Sequence, residues 1–465
     1  MKTLSGKSQY IVDVGDCETS PLLGRKKAER PETETEADRP SPKLCRSILT
    51  FLNLGMQTTA INATFAGLIA VLIWWLDLNL SSYCFGKSWD DIPVAFQRMR
   101  LTTEVVESFF IQFWSLSCLA PQISWSATKK MAIPYWNVIA ASVDVIFRLF
   151  FFAYGFYGQG WQTIVGNIVF FGIMFLNHSK VAMQYLRNPK SKLDVFLMSS
   201  KLSTQFITGM VLSLLFNHIF LTMYHKTSES IKTFMCSLLP VIFAISKFIT
   251  NIIIGNLAKY KCFEKGTMLV IGLQVSTTLV ARMVQASNES FVGFVAISIV
   301  HGILNVFDKL ALPIRNKITK FVLKRETTSS PVFLADQTLI GMVTETAAVI
   351  LSCSSVYITM YYYMRDETSG QRYNGYELFY QALKRIGVAA SIDFFFNTIA
   401  VKIQADLYHI PIMQEWKLHW KFIVITHMVQ IIISMIYFSE YLDQVTMPVR
   451  FKALNNSCIT PFSRL

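Results

Sequence analysis

Apolar stretches of roughly 20 residues, the length an α-helix needs to cross the hydrocarbon core of a bilayer, recur about eleven times along this chain. Inside lipid each stretch must satisfy its own backbone N–H and C=O groups, so the expected fold is an all-α polytopic membrane bundle. The spans read as 55–76, 102–122, 136–157, 161–179, 203–224, 234–256, 267–286, 290–312, 336–362, 378–404 and 422–442. Glu104, Glu107 and Gln112 interrupt the second span. The ninth and tenth are long enough to tilt or to project from the membrane. Composition agrees: of 465 residues, 52% are hydrophobic and only 16% charged, against about 25% charged in soluble domains.

Residues 1–44 differ in kind. The run from Glu29 to Pro42 is polar, charged and Pro-rich, and buries too little apolar surface to fold alone. The first residues lack the apolar core of a signal peptide. The expected organisation is a disordered cytosolic tail over 1–44, a helical bundle over 45–442 and a short non-cytosolic tail over 443–465. Within the first tail, Glu18, Leu22 and Leu23 form an acidic dileucine pattern. In such a pattern the leucines enter apolar pockets of a sorting adaptor while the acid meets a basic patch. That predicts an endolysosomal membrane, with the plasma membrane as the alternative.

The net charge of +13 does not indicate a nucleic-acid partner. Its Lys and Arg fall in short loops between apolar runs, at Lys129/Lys130, Arg187/Lys190/Lys192, Lys259/Lys261/Lys265 and Arg315–Arg325. These loops alternate as cytosolic loops should, together with Arg25/Lys26/Lys27 of the tail. The N-terminus is therefore expected in the cytosol and, with an odd count of spans, the C-terminus in a lumen or outside. Three glycosylation sequons, at Asn79, Asn288 and Asn455, fall on that non-cytosolic side. None of the eight cysteines forms a CxxC pair, so no metal and no cofactor is expected. Cys118 and Cys353 read as packing residues, and a disulfide between Cys84 and Cys458 is open.

Function is best sought among ionisable residues near the middle of spans, because a charge at the bilayer centre costs at least about 2.5–3.5 kcal/mol. Five qualify: Asp144, Arg148, Lys247, Glu345 and Asp393. Asp144 and Arg148, four apart, can neutralise each other on one helix face. Lys247 heads a polar stripe with Asn251 and Gly255, has no acid in its own helix, and points to Glu345 or Asp393 as its counter-charge. Glu345 lies in a stripe of small and hydroxylated residues, Thr338, Gly341, Ala348, Ser352, Ser355 and Thr359, which suits either a tight helix seam or a hydrated path. Asp393 shares a face with Asn397 and Gln404, and its short side chain cannot snorkel. Arg282, near the outer end of the seventh span, is expected to snorkel. His301, with Asn305 at i+4, reads as a packing histidine. Tyr408–Trp420 reads as an interfacial segment on the cytosolic leaflet.

These placements predict a secondary transporter, coupled to H⁺ or another cation through Glu345 and Asp393 and moving a small polar or charged solute. Lys247 and Arg148 would hold an anionic group or serve as switching partners. The alternatives are a polytopic acyltransferase using His301, and a channel or lipid scramblase. Besides the lipid bilayer, the expected partners are the solute and the sorting adaptor.

Overall fold

The computed structural model describes residues 44–80, 83–84, 87–156, 161–186, 191–224, 226–255, 269–288, 290–311, 321, 331–363, 374–446 and 458–459. The N-terminal tail with its dileucine pattern, Asn455, and most of the basic loop residues lie outside these. The described residues are overwhelmingly helical. Nine helices are long and apolar enough to cross a membrane among them, as expected of an all-α polytopic membrane protein.

The helices run α1 (Leu44–Leu80), α2 (Val94–Ile111), α3 (Trp114–Ile123), α4 (Trp125–Lys130), α5 (Ile133–Ala153) and α6 (Trp161–Tyr185), then α7 (Lys192–Leu202) and α8 (Thr204–Leu215). A π-helical segment, Phe216–Leu221, separates α8 from the single turn α9 (Thr222–Tyr224). There follow α10 (Glu229–Gly255), α11 (Ile271–Ala286), α12 (Phe291–Leu310), α13 (Pro331–Tyr363), α14 (Gly375–Tyr408) and α15 (Ile412–Thr446). Local chemistry sets several of the ends. Ser191 and Asp194 form a reciprocal capping box at α7, Ser290 accepts from the Gly293 N–H at α12, and Asn374 accepts from the Tyr376 N–H at α14. Each satisfies a backbone donor that a helix start leaves orphaned.

Two expected spans look different in the structure. The stretch 102–122 is not one helix: α2 ends at Ile111, and α3 begins at Trp114. The break falls at the polar interruption, where Gln112 caps α2 through its backbone N–H and its side chain donates to Asp144 on α5. The stretch 267–286 contributes only the 16-residue α11. At about 1.5 Å per residue it is roughly 24 Å long, short of a hydrocarbon core of about 30 Å. It does not face lipid either, for every residue of α11 except Gln274 is buried. The interfacial segment is a third departure. His409 takes a left-handed conformation with φ 54°, Pro411 follows, and α15 then runs unbroken from Ile412. Trp416 and Glu415, expected at a headgroup surface, are buried in its first turns.

The core forms around α13. In its most apolar window 89% of the residues are buried, against 22% for α5 and α10. It packs against α1, α11, α14 and α15. The small-residue stripe of the sequence is one side of this central helix. Gly341 admits Gln274 of α11, and Ser352 donates to the Leu279 carbonyl of the same helix. The outer helices α5, α8, α10 and α12 instead leave large aliphatic and aromatic side chains exposed, among them Ile139, Ile146, Leu214 and Ile245. An apolar exterior around a core rich in polar side chains fits a bilayer environment. At one end, Tyr83–Cys84 pairs antiparallel with Cys458–Ile459, and Cys84 is disulfide-bonded to Cys458. The bond ties the segment after α1 to the chain's last described residues.

Candidate functional site

Arg282 of α11 is the hub of the site, and it does not snorkel: it is 1% exposed. Its Nη2 donates to Oε2 of Glu345 on α13 at 2.8 Å and to both carboxylate oxygens of Asp393 on α14 at 2.7 Å. Its Nε also reaches Glu345 Oε2, at 3.3 Å, and its Nη1 donates to Gln285 Oε1 at 2.8 Å. The second oxygen of Glu345 lies 3.2 Å from Nε2 of His301 on α12. Gln285 passes the network on to Ser298 and to the Phe294 carbonyl. One guanidinium thus serves two carboxylates from two other helices, and a titratable imidazole closes the far end.

Charge is the informative property here. Fully ionised, Arg282, Glu345 and Asp393 sum to −1. Two like charges at 4 Å repel by about 4 kcal/mol even at an effective dielectric of 20, so a buried cluster of this kind gains from exactly one added positive charge. His301 stands where a proton can supply it. A metal cation fits less well. Both oxygens of Asp393 and both of Glu345 already face N–H donors or the imidazole, and no cluster of metal-ligating side chains occurs among the described residues.

A cavity of about 100 Å³ lies against this cluster, between α10, α11, α12 and α13. His301 and Glu345 line it, together with Lys247, Asn251, Asp308 and Lys309. Pro240 of α10 lines it too; lacking an N–H, it leaves the helix ladder one bond short beside the cavity. Lys247 is not paired with Glu345 or Asp393 as expected, because Arg282 holds both acids. Its Nζ donates instead to Thr278 Oγ1 at 3.3 Å. On α14, Asp393, Asn397 and Gln404 are buried on one face as read from the sequence. Asn397 accepts from Asn305 Nδ2 at 2.8 Å, and Gln404 accepts from Thr338.

Asp144 and Arg148 belong to a separate network. Arg148 Nε is 3.3 Å from Asp144 Oδ1, and its Nη1 is 3.0 Å from Glu104 Oε2 on α2. Gln112 donates to Asp144, and Arg100 pairs with Glu104 at 3.1 Å. These residues do not join the Arg282 cluster. Of the sequons, Asn79 lies in α1. Asn288 is 2% exposed, with Nδ2 donating to Thr233 and Oδ1 accepting from the Ser290 N–H, so a glycan on Nδ2 would require this buried side chain to move outward.

Three contributors are hard to read from the sequence: Arg282 sits where a helix end is expected, and Gln285 and Lys309 carry no mid-span position to mark them. A signal existed for the first two: Gln274, Thr278, Arg282 and Gln285 recur at steps of three and four, a polar stripe along α11. Lys309 offers no such pattern. No family model matches the chain, and neither the curated proteins nor the solved structures yield a match.

Proposed function

We propose that this chain is a proton-coupled secondary transporter that moves a small polar or charged solute through the cavity beside Glu345 and His301. The observation that carries the reading is the sharing of Arg282 by Glu345 and Asp393, with His301 at the end of the chain of contacts. Such a cluster is one positive charge short, and it has a site for one proton. Protonation weakens the hold of one carboxylate on Arg282, and α11, α13 and α14 meet only through that hub in this network. Proton binding therefore biases the packing of three helices around the cavity, which is the two-state element that alternating access needs.

The chain is oriented with its N-terminus in the cytosol and its C-terminus on the opposite face. Supporting this is the Cys84–Cys458 bond, since disulfides persist in oxidising compartments and would mark that end as lumenal or extracellular. The acidic dileucine pattern at Glu18, Leu22 and Leu23 favours an endolysosomal membrane, with glycans on Asn79 and Asn455 facing the lumen.

The test is uptake by proteoliposomes holding a pH-sensitive dye, challenged with a panel of amino acids, sugars, choline and small carboxylates. One member of the panel should move in response to a pH gradient, carry protons with it, and stop when a protonophore collapses the gradient. Solute movement indifferent to the gradient would overturn the coupling, and no movement of any solute would overturn transport.

A further inference from the structure

Lys309 of α12 is a buried charge beside the cavity. It is 7% exposed, it lines the cavity, and its Nζ makes no hydrogen bond among the described residues. Lys247 lines the same cavity from α10, and its recorded hydrogen bond goes to the neutral hydroxyl of Thr278. Glu345 and Asp308 line the same cavity, and neither lysine forms an ion pair among the described residues. Two ammonium groups on different helices therefore converge on one polar space without an acceptor worth their desolvation. Beside them Asn251, Gln274 and Gln337 add amide groups, each with an N–H to donate, to the wall.

We propose that the cavity binds a small organic anion of single negative charge, a monocarboxylate being the simplest chemistry, held between Lys247 and Lys309. The proposal rests on the transport reading and names its substrate class. Size agrees with it. One water needs about 10–15 Å³ of such volume, so about 100 Å³ accommodates several waters or a solute of a few heavy atoms. Charge fixes the stoichiometry. Lys247, Lys309 and Asp308 sum to +1 beside the −1 of Arg282, Glu345 and Asp393, so the empty site is neutral with His301 uncharged, and an anion held by the lysines leaves the cluster one charge short. A monoanion brings −1, and one proton on the His301–Glu345–Arg282–Asp393 network restores neutrality. These seven groups, from α10, α11, α12, α13 and α14, are the charged and titratable ones that line the cavity or belong to the adjoining cluster. The anion and one proton cross together, and a dianion would leave the site one charge out of balance.

Binding is tested on the purified full chain in detergent, by thermal unfolding with lactate, benzoate, succinate, phosphate, glucose and choline, and with sodium chloride as the ionic-strength control. Lactate or benzoate should raise the unfolding temperature above the chloride control, with half-effect at lower concentration than succinate. Lys309→Gln and Lys247→Gln should weaken that response about tenfold or more, the loss of a charge-assisted bond, and Lys309→Arg should retain most of it. Should a glutamine variant fail to fold, Lys309→Arg and Asn251→Ala still report on the wall of the site. No shift with any anion, a shift with choline or glucose alone, or a full response in the Lys247→Gln/Lys309→Gln pair overturns the proposal. Failures of the two readings are distinguishable. Anion stabilisation without proton-linked uptake leaves the site and removes transport. Proton-linked uptake of a neutral or cationic solute, without anion stabilisation, does the reverse.

Discussion

The molecule contains the same charge motif twice, and the two copies are completed differently. Arg148 holds Asp144 and Glu104, just as Arg282 holds Glu345 and Asp393. In the first copy Arg100 joins as a second cation on Glu104, Gln112 satisfies Asp144, and the four charges sum to zero. Arg148 and Glu104 are also partly accessible, at 17% and 18%. In the second copy no other arginine arrives, the hub is 1% exposed, and a histidine takes the remaining position. A buried charge network with complete neutrality is a packing device. One that sums to −1 on its own, beside a cavity whose lysines carry the balancing charge, is where we propose that a proton comes and goes. The difference lies in the count of charges and in burial, since the residue types are the same.

The largest expected effect separating the two copies is on stability. Arg282→Leu strands two buried carboxylates and should cost about 3–5 kcal/mol, seen as a large drop in unfolding temperature in detergent. Arg148→Leu should cost no more than about 1–2 kcal/mol, because Arg100 and Gln112 still serve its acids. Equal losses would break the comparison.

The glycines beside each cluster give a second, smaller contrast. A Cβ on Gly302, next to His301, would meet Phe396 Cδ2 at 2.2 Å and Cγ at 2.7 Å. Those are ring atoms packed between α12 and α14, so Gly302→Ala should cost about 1–3 kcal/mol. A Cβ on Gly166 would meet the end of Arg148, Nη2, at 3.1 Å. That flexible tip can yield, and Gly166→Ala should stay within about 0.5 kcal/mol by the same measurement. The last contrast concerns orientation, at the disulfide. Cys84→Ser should free Cys458 to react with a membrane-impermeant maleimide from the lumenal side. In intact endolysosomes that labelling should need permeabilisation, and labelling of Cys458 in the intact organelle would reverse the proposed orientation.

Much of the site was legible in the sequence, because a mid-membrane acid has few ways to be stable. Glu345 and Asp393 stood out for that reason, and the pairing of Asp144 with Arg148 followed from their four-residue spacing. What stayed hidden depended on where helices sit relative to one another. Arg282 is near the end of its helix, a position that on a lipid-facing span allows snorkelling. α11 is instead a short helix enclosed by others, so its end is interior. The polar stripe along α11 carries a trace of Arg282's place, whereas the enclosure of the apolar faces around it leaves none. Lys309 was indistinguishable from the basic residues that follow it, and only the cavity on α12 tells it apart. The break at Gln112 had a visible cause in the polar interruption, though not its consequence, a side chain freed to reach Asp144.

Proton-linked flux in matched variants of the two copies tests the central claim most directly. Asp393→Asn and Asp144→Asn are each reconstituted into liposomes with the solute that the wild type carries, and internal pH is followed during uptake. The account predicts that Asp144→Asn acidifies the lumen as the wild type does, while Asp393→Asn moves solute down its own gradient with no proton attached. Coupled transport in Asp393→Asn, or its loss in Asp144→Asn alone, would contradict it.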